Sequence, residues 1–88
     1  MEEYKIFFKK SVEKDFKVIP KTYLSKILQR IENLKIEPRP IGSEKLSGLE
    51  LYRIRQGIFR IVYSIQDNEL TIWIVKIAHR KEIYQKIS

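Results

Sequence analysis

The sequence predicts an α+β fold: an N-terminal strand, a two-helix hairpin and then a three-strand antiparallel meander. Two observations lead to this prediction. Apolar residues recur at helical spacing through the first half of the chain, and the second half changes to runs typical of strands separated by short turns. The chain has 88 residues, and we expect a single domain over residues 1–88.

The first strand and the first helix are predicted from the start of the chain. Residues 4–8 alternate loosely and are rich in aromatic side chains and isoleucine, which favours a strand. Ser11 is the expected N-cap of the first helix, in which Val12 and Phe16 share one face. Pro20 is expected to end that helix and to begin the next.

The second helix has the strongest apolar stripe in the chain. Its members follow helical spacing: Leu24, Ile27, Leu28, Ile31 and Leu34. Pro38 and Pro40 predict its end, and residues 41–48 are expected to form a loop.

Three β-type runs follow, over residues 51–55, 58–65 and 70–77. Gln56-Gly57 and Asp67-Asn68 are short enough to form two-residue hairpin loops. We expect a short C-terminal helix or tail after the last strand. Two helices must cover one face of the sheet, which leaves the other face free for function.

The first hairpin loop fixes a register in which Arg53 lies opposite Arg60. Because side chains alternate between faces, the two strands then divide into two sets. The core set is Tyr52, Ile54, Phe59, Ile61 and Tyr63, and the opposite face holds Arg53, Arg55 and Arg60.

The second loop extends this register to the last strand. It places Arg60 opposite Val75 and Val62 opposite Trp73. Trp73 and Thr71 then join the arginine face, and Ile72 and Ile74 join the core.

Arginines that face each other across a ladder repel and destabilise the sheet. The functional interpretation is a preformed site for phosphate groups, since guanidinium groups offer planar, bidentate donors. The alternative is an ordinary solvated face on which the arginine stems cover apolar surface. The residue pattern leaves both open.

Composition limits the possible functions. The chain has 18 Lys and Arg against 11 Asp and Glu, a formal net charge of +7, which favours an anionic partner such as nucleic acid. The absence of Cys excludes disulfides and thiol nucleophiles, and one His leaves little for a zinc site. No apolar run approaches the roughly 20 residues that span a bilayer, and the acidic N-terminus lacks a signal-peptide pattern, so we expect a cytoplasmic protein without membrane contact.

The segment after the last strand contains His79, Arg80 and Tyr84, residue types that acid–base chemistry on a phosphodiester uses. Each of them alone is more simply explained by packing or solvation.

Two stretches together resemble a known family: LYRIRQGIFRIVY over residues 51–63 and IAHRKEIY over residues 77–84. The chain is similar to the RelE/ParE toxin superfamily over nearly its whole length. This resemblance implies the RelE-like microbial RNase fold and a toxin of a type II toxin–antitoxin pair. The RelE branch consists of mRNA interferases that cut mRNA in the ribosomal A site, whereas the ParE branch inhibits DNA gyrase.

The resemblance also implies roles for individual residues. Arg53 and Arg55 match a pair of basic residues, Arg60 a phosphate-binding arginine, Arg80 a second catalytic arginine and Tyr84 a proposed general base. Possession of the whole set favours the RelE branch. His79 and Lys81 are further candidates for catalysis or RNA binding, and His79 is equally well explained as a structural residue.

In the mechanism that the resemblance implies, the 2′-OH attacks the scissile phosphorus and the 5′-oxygen leaves, without metal or other cofactor. Family members often carry Lys where this chain has Arg53 and Arg55, and arginine is a poor proton donor, so these two are expected to act as electrostatic clamps. The implied partners are a RelB-like antitoxin, the ribosome and mRNA. The alternatives are a ParE-like gyrase inhibitor and an inactive binding module.

Overall fold

A computed structural model of the protein describes residues 2–46 and 48–81. The elements in chain order are β1 (Lys5–Phe8), α1 (Lys10–Val18), α2 (Lys21–Asn33), β2 (Glu44–Lys45), β3 (Tyr52–Gln56), β4 (Phe59–Gln66) and β5 (Thr71–His79). The predicted α+β architecture, with a strand, two helices and a meander, is confirmed.

The strands form one sheet in the order β1-β5-β4-β3-β2. β1 runs parallel to β5, and the other neighbours are antiparallel. β2 lies within residues 41–48, which the sequence predicts as a loop, and it pairs with β3 through only two residues. Its brevity explains why no strand pattern is visible there.

Both helices pack on one face of the sheet. The buried residues between them and the strands are Val12, Ile19, Ile27, Ile31, Leu34, Ile54, Phe59, Ile61, Tyr63, Ile72, Ile74 and Ile77. Tyr63 is fully buried and donates its hydroxyl to the Pro38 carbonyl over 2.8 Å. Burial raises the pKa of Tyr63 to about 12, so this hydroxyl stays protonated as a structural donor.

The predicted N-cap at Ser11 is wrong, because Ser11 lies inside α1 and Lys9 takes the cap position. The backbone N–H of Lys9 donates to the Ile74 carbonyl, so the chain passes from the β1 ladder directly into the helix. Pro20 takes the N-cap position of α2, and its carbonyl accepts the N–H groups of Tyr23 and Leu24.

The turn between β3 and β4 lies one residue later than predicted. Gly57 and Ile58 form it, and Gln56 pairs with Phe59. Gly57 has a φ of 61°. A tight turn that needs positive φ at its first central residue favours glycine there, which explains why Gly57 opens the turn instead of closing it.

The predicted pair of Arg53 with Arg60 is therefore wrong: Arg60 lies opposite Arg55, and Arg53 lies opposite Val62. Moving a hairpin turn by one residue moves the pairing by two. Because faces alternate with a period of two, each side chain keeps its predicted face. The pairing thus confirms the predicted core and arginine faces.

A longer turn and a bulge change the pairing of β4 with β5. A 3-10 turn, Asp67–Glu69, replaces the predicted two-residue loop, and Leu70 follows it with a left-handed φ of 49°. Val75 is the extra residue of a bulge opposite Val62 and Tyr63. An inserted residue reverses the alternation, which lets both Ile74 and Ile77 face the core.

The predicted opposition of Arg60 to Val75 and of Val62 to Trp73 is consequently wrong. The observed pairs on this face are Gln66 with Thr71, Ser64 with Trp73, Val62 with Lys76 and Arg60 with Ala78. Trp73 and Thr71 still lie on the face that carries Arg60, and Ile72 and Ile74 lie in the core, as predicted.

Asp15 of α1 ties the helix to β5 beyond the end of β1. β1 ends opposite Ile74. The buried Asp15 carboxylate then accepts the backbone N–H of Ile77 over 3.1 Å and the Lys76 Nζ over 2.6 Å. One side chain therefore satisfies both the strand edge and a partly buried cation.

Neither helix in the described ranges is long and apolar enough to cross a membrane.

Candidate active site

The face of the sheet opposite the helices, called the open face below, carries most of the predicted site. Going from β3 to β5, its side chains include Arg53, Arg55, Arg60, Val62, Ser64, Trp73, Val75 and Ala78. The arginines lie at one end of this face, and the stacked rings of Phe7 and Trp73 lie at the other.

Arg55 and Arg60 lie directly opposite each other at the end of the β3–β4 hairpin. Arg55 is exposed and Arg60 is half-buried. The Nη1 of Arg60 donates to the carbonyl oxygens of Gly57 and Phe59 over 3.4 and 3.2 Å. These contacts hold the Arg60 guanidinium against the turn, on the side where Arg55 projects.

The backbone of Arg80 lies beside this pair, at the end of β5. Its backbone N–H donates to the Ile58 carbonyl over 2.9 Å, which fixes it against the β3–β4 turn. Ala78, two residues earlier, is the partner of Arg60. We call Arg55, Arg60 and Arg80 the arginine cluster.

Arg53 lies on the same face but is engaged differently. Its side chain is only 10% exposed, and its Nη2 donates to Glu44 Oε2 over 2.8 Å. Glu44 is the β2 residue paired with Arg53 across the ladder. The structure therefore places Arg53 beside the cluster with its guanidinium held by a carboxylate.

Sequence reasoning missed Glu44, because a two-residue strand leaves no alternation by which to place its side chain. It also missed a second apolar cluster on the open face, in which Leu46, Leu51 and Val75 pack against the buried Val62 and Ala78. The leucines flank the β2–β3 connection, where Leu46 and Leu51 are joined by a backbone hydrogen bond of 2.8 Å. The middle of the open face is therefore apolar and partly covered rather than fully wet.

His79 is oriented away from the arginine cluster. It pairs with Phe59, a core residue, and the two rings meet edge to face with centroids 6.2 Å apart. The Nδ1 of His79 accepts the backbone N–H of Lys81 over 3.2 Å. Lys81 is exposed directly after Arg80, and Tyr84 lies outside the described residues.

Within residues 2–46 and 48–81, no group of three or more His, Cys, Asp or Glu side chains is placed to hold a metal ion. The groups that the site does offer are guanidinium donors. Clustered guanidinium groups bind phosphate oxygens and stabilise charge that develops on them.

A family model described as "ParE toxin of type II toxin-antitoxin system, parDE" matches residues 6–84. The chain belongs to the RelE/ParE superfamily of type II toxins. It is 34% identical over 87 residues to "Putative toxin RelE1" of Methanocaldococcus jannaschii, covering 94% of this chain and 97% of the relative. It is 26% identical to toxin RelG of Mycobacterium tuberculosis, covering 94% and 98%.

The superfamily relationship extends to solved structures. The crystal structure of an archaeal RelE–RelB complex from Pyrococcus horikoshii superposes with a TM-score of 0.79 at 31% identity. The match covers 89% of this chain and 96% of that one. The chain is thus a RelE-family toxin by sequence and by fold, and the resemblance predicted from residues 51–63 and 77–84 is confirmed.

Proposed function

We propose that this RelE-family toxin is a ribosome-dependent mRNA endoribonuclease that cuts mRNA in the A site. The observation that supports the proposal most is the arginine cluster. Arg55 and Arg60 face each other at a sheet end, and the Arg80 backbone is bonded to the turn between their strands. Like charges placed directly opposite each other destabilise a sheet, and a phosphate group bound between them would relieve that repulsion.

The chemistry assigns a task to each member of the cluster. The 2′-OH attacks the phosphorus, a bond to the 5′-oxygen breaks, and negative charge grows on the non-bridging oxygens. Arg60 and Arg80 stabilise that charge, and Arg55 holds the flanking backbone. Arg53 adds positive electrostatic potential at the site. Its contact with Glu44 helps to orient this end of β3.

Proton transfer is proposed for residues near the C-terminus. Tyr84 is the predicted general base, which would take the proton of the attacking 2′-OH. Lys81 is exposed beside Arg80 and suits protonation of the leaving 5′-oxygen. The ring of His79 contacts the core residue Phe59, which disfavours His79 for this step.

We further propose a RelB-like antitoxin as the partner of this toxin. The crystal structure from P. horikoshii contains RelE together with RelB. A chain with a formal net charge of +7 suits a partner segment rich in acidic residues. Because the proposed substrate is mRNA on ribosomes, the toxin would act in the cytoplasm.

The test is to add the purified toxin to a translation extract and map the 5′ ends of a reporter mRNA. We expect new ends within codons that occupy the A site, and none when the same mRNA is incubated without ribosomes. Uncut mRNA in the translating extract would contradict the proposal.

Gyrase inhibition is the second candidate, because the family model that matches this chain is described as a ParE toxin. Expression in cells separates the two. A gyrase poison produces double-strand DNA breaks while mRNA stays intact, whereas the proposed nuclease produces cut mRNA and leaves the chromosome unbroken.

A further inference from the structure

An aromatic pair lies on the open face, at the end away from the arginine cluster. The rings of Phe7 on β1 and Trp73 on β5 stack with centroids 5.1 Å apart and planes 30° apart. Phe7 is 43% exposed and Trp73 is half-buried. Both helices pack on the opposite face, so the two rings keep a surface toward solvent.

Lysines flank this pair along the edge strand. Lys5 and Phe7 lie two residues apart on β1, so their side chains share the open face. The backbone at Lys9 is still extended (φ −66°, ψ 151°), which places the Lys9 side chain on the same face. The Nζ of Lys9 lies 4.5 Å from the centroid of the Trp73 ring. We call Phe7, Trp73, Lys5 and Lys9 the β1 patch.

We propose that the β1 patch is a second RNA contact, in which a base of single-stranded RNA stacks on the aromatic pair and the lysines bind the flanking phosphates. The inference rests on the proposed function and adds a binding site remote from the bond that is cut. Stacking aromatics on an open sheet, with cations beside them, are the recurrent physical solution for holding single-stranded nucleic acid.

The ammonium of Lys9 lies over the Trp73 ring, where it would compete with a stacking base. A cation over a partly exposed ring is held more weakly than a stacked base. The flexible Lys9 stem lets the ammonium move from the ring to an incoming phosphate. This movement of the Lys9 ammonium exposes the Trp73 ring to the base and places a positive charge beside the RNA backbone.

The position of the patch fits a strand of RNA that also reaches the arginine cluster. Trp73 lies opposite Ser64, four residues along β4 from Arg60, which is about 13 Å at strand spacing. Leu46 and Leu51 pack over the middle of the face on the β3 side. They leave the β5 side, past Val75, as the route for a short single-stranded segment.

Trp73 is the single tryptophan of the chain, so tryptophan fluorescence reports on the β1 patch directly. The experiment titrates the full-length toxin with a 2′-O-methylated oligoadenylate, which cannot be cut by its own 2′-OH. We expect saturable quenching of Trp73. Lys9→Gln and Phe7→Leu should each weaken binding about tenfold, from loss of a phosphate contact and of a stacking ring.

Lys17→Gln is the matched control, because Lys17 is an exposed lysine in the last turn of α1. We expect it to leave the affinity unchanged. In Lys9→Gln the slope of log affinity against log salt should fall in magnitude by about 0.7, the share of one phosphate contact on a single strand. Thermal unfolding of each variant checks that its fold is intact, and a Phe7→Leu that unfolds leaves Lys9→Gln as the deciding variant.

Two results would overturn the proposal. One is no quenching of Trp73 by the RNA, including the case in which only an acidic protein partner quenches it. The other is an equal loss of affinity in Lys9→Gln and Lys17→Gln. The mRNA-cutting assay runs separately. If RNA quenches the fluorescence of Trp73 but the toxin cuts no mRNA, the proposed function is wrong, while the β1 patch is still supported as an RNA contact.

Discussion

At the scale of single residues, the pairing of Arg55 with Arg60 supports the phosphate-site explanation of the arginine face. Arginines on a solvated sheet face are common, but two placed directly opposite each other repel. We therefore interpret the pair as a preformed phosphate site.

Arg55→Gln should therefore make the protein more stable and less active. Removing one of two opposed charges should raise the free energy of unfolding in urea by a few tenths of a kcal/mol at low salt. Added salt should shrink the gain, because salt screens exposed charges. Arg30→Gln, on the last turn of α2, is the control and should show no gain. Equal stability of Arg55→Gln and the wild type at low salt would remove the argument from repulsion.

The stability of the protein in acid should depend on Asp67. Hydrogen bonds from Arg39 and then from Tyr4 lower the pKa of Asp67 below its usual value of 3.8. The folded protein thus favours the ionised carboxylate, so this stabilisation is present above about pH 4 and is lost as the pH falls through the lowered pKa.

The measurement compares Asp67→Asn with the wild type in thermal unfolding from neutral pH downward. The gap in melting temperature should stay constant down to about pH 4 and narrow below it. Glu69→Gln, in the same exposed turn, is the control. A gap that widens in acid would show that the sign assigned to Asp67 is wrong.

At the scale of elements, the predictions from sequence were correct where a repeating pattern of side chains sets the type and face of an element. They were wrong where a single residue sets the local geometry. The stripe from Leu24 to Leu34 predicted α2, and strand alternation predicted both faces of the hairpin. The position of a tight turn depends on the backbone angles of single residues. From composition alone, Gly57 could be either the first or the second central residue of its turn. The bulge at Val75 inserts one residue that no spacing marks.

The same distinction holds in the candidate site. Strand alternation predicted that Arg55 and Arg60 share a face, although it gave Arg60 the wrong partner, and the family motif pointed to Arg80. Glu44 could not be predicted, because β2 has only two residues, and the contacts of Phe7 and Lys9 with Trp73 required knowing that β1 runs beside β5.

Glu44→Gln tests how β2 is attached to β3. The substitution removes the carboxylate charge from the contact with the nearly buried Arg53, and we expect a loss of about 1 kcal/mol in the free energy of unfolding. Glu50→Gln is the matched control, since Glu50 forms only an exposed ion pair with Lys45 at 3.7 Å and should change stability little. Equal losses in the two variants would show that the Arg53–Glu44 contact has no special weight.

At the scale of the whole molecule, small size and cationic charge belong together. The described residues extend over 34 × 29 × 25 Å, with one main core beneath the sheet. A chain of 88 residues buries a limited core, so a bound partner has a large relative effect on its stability.

We therefore expect a RelB-like antitoxin to raise the melting temperature of the toxin, and to raise it further as free antitoxin increases, because a partner that binds only the folded state stabilises it by mass action. Scanning calorimetry of toxin, antitoxin and mixture measures this. A melting temperature unmoved by saturating antitoxin would contradict the proposed partnership.

We propose that the arginine cluster stabilises the reacting phosphate while mRNA is cut on the ribosome. The most direct measurement is the rate of cleavage of A-site mRNA by the wild-type toxin and its variants, mapped at the 5′ ends. Removing one preorganised charge from a reacting phosphate commonly slows the step about a hundredfold or more, so Arg60→Ala and Arg80→Ala should do so while Arg30→Gln cuts at the wild-type rate. Cleavage by both alanine variants at the wild-type rate, with their folds intact, would contradict the claim.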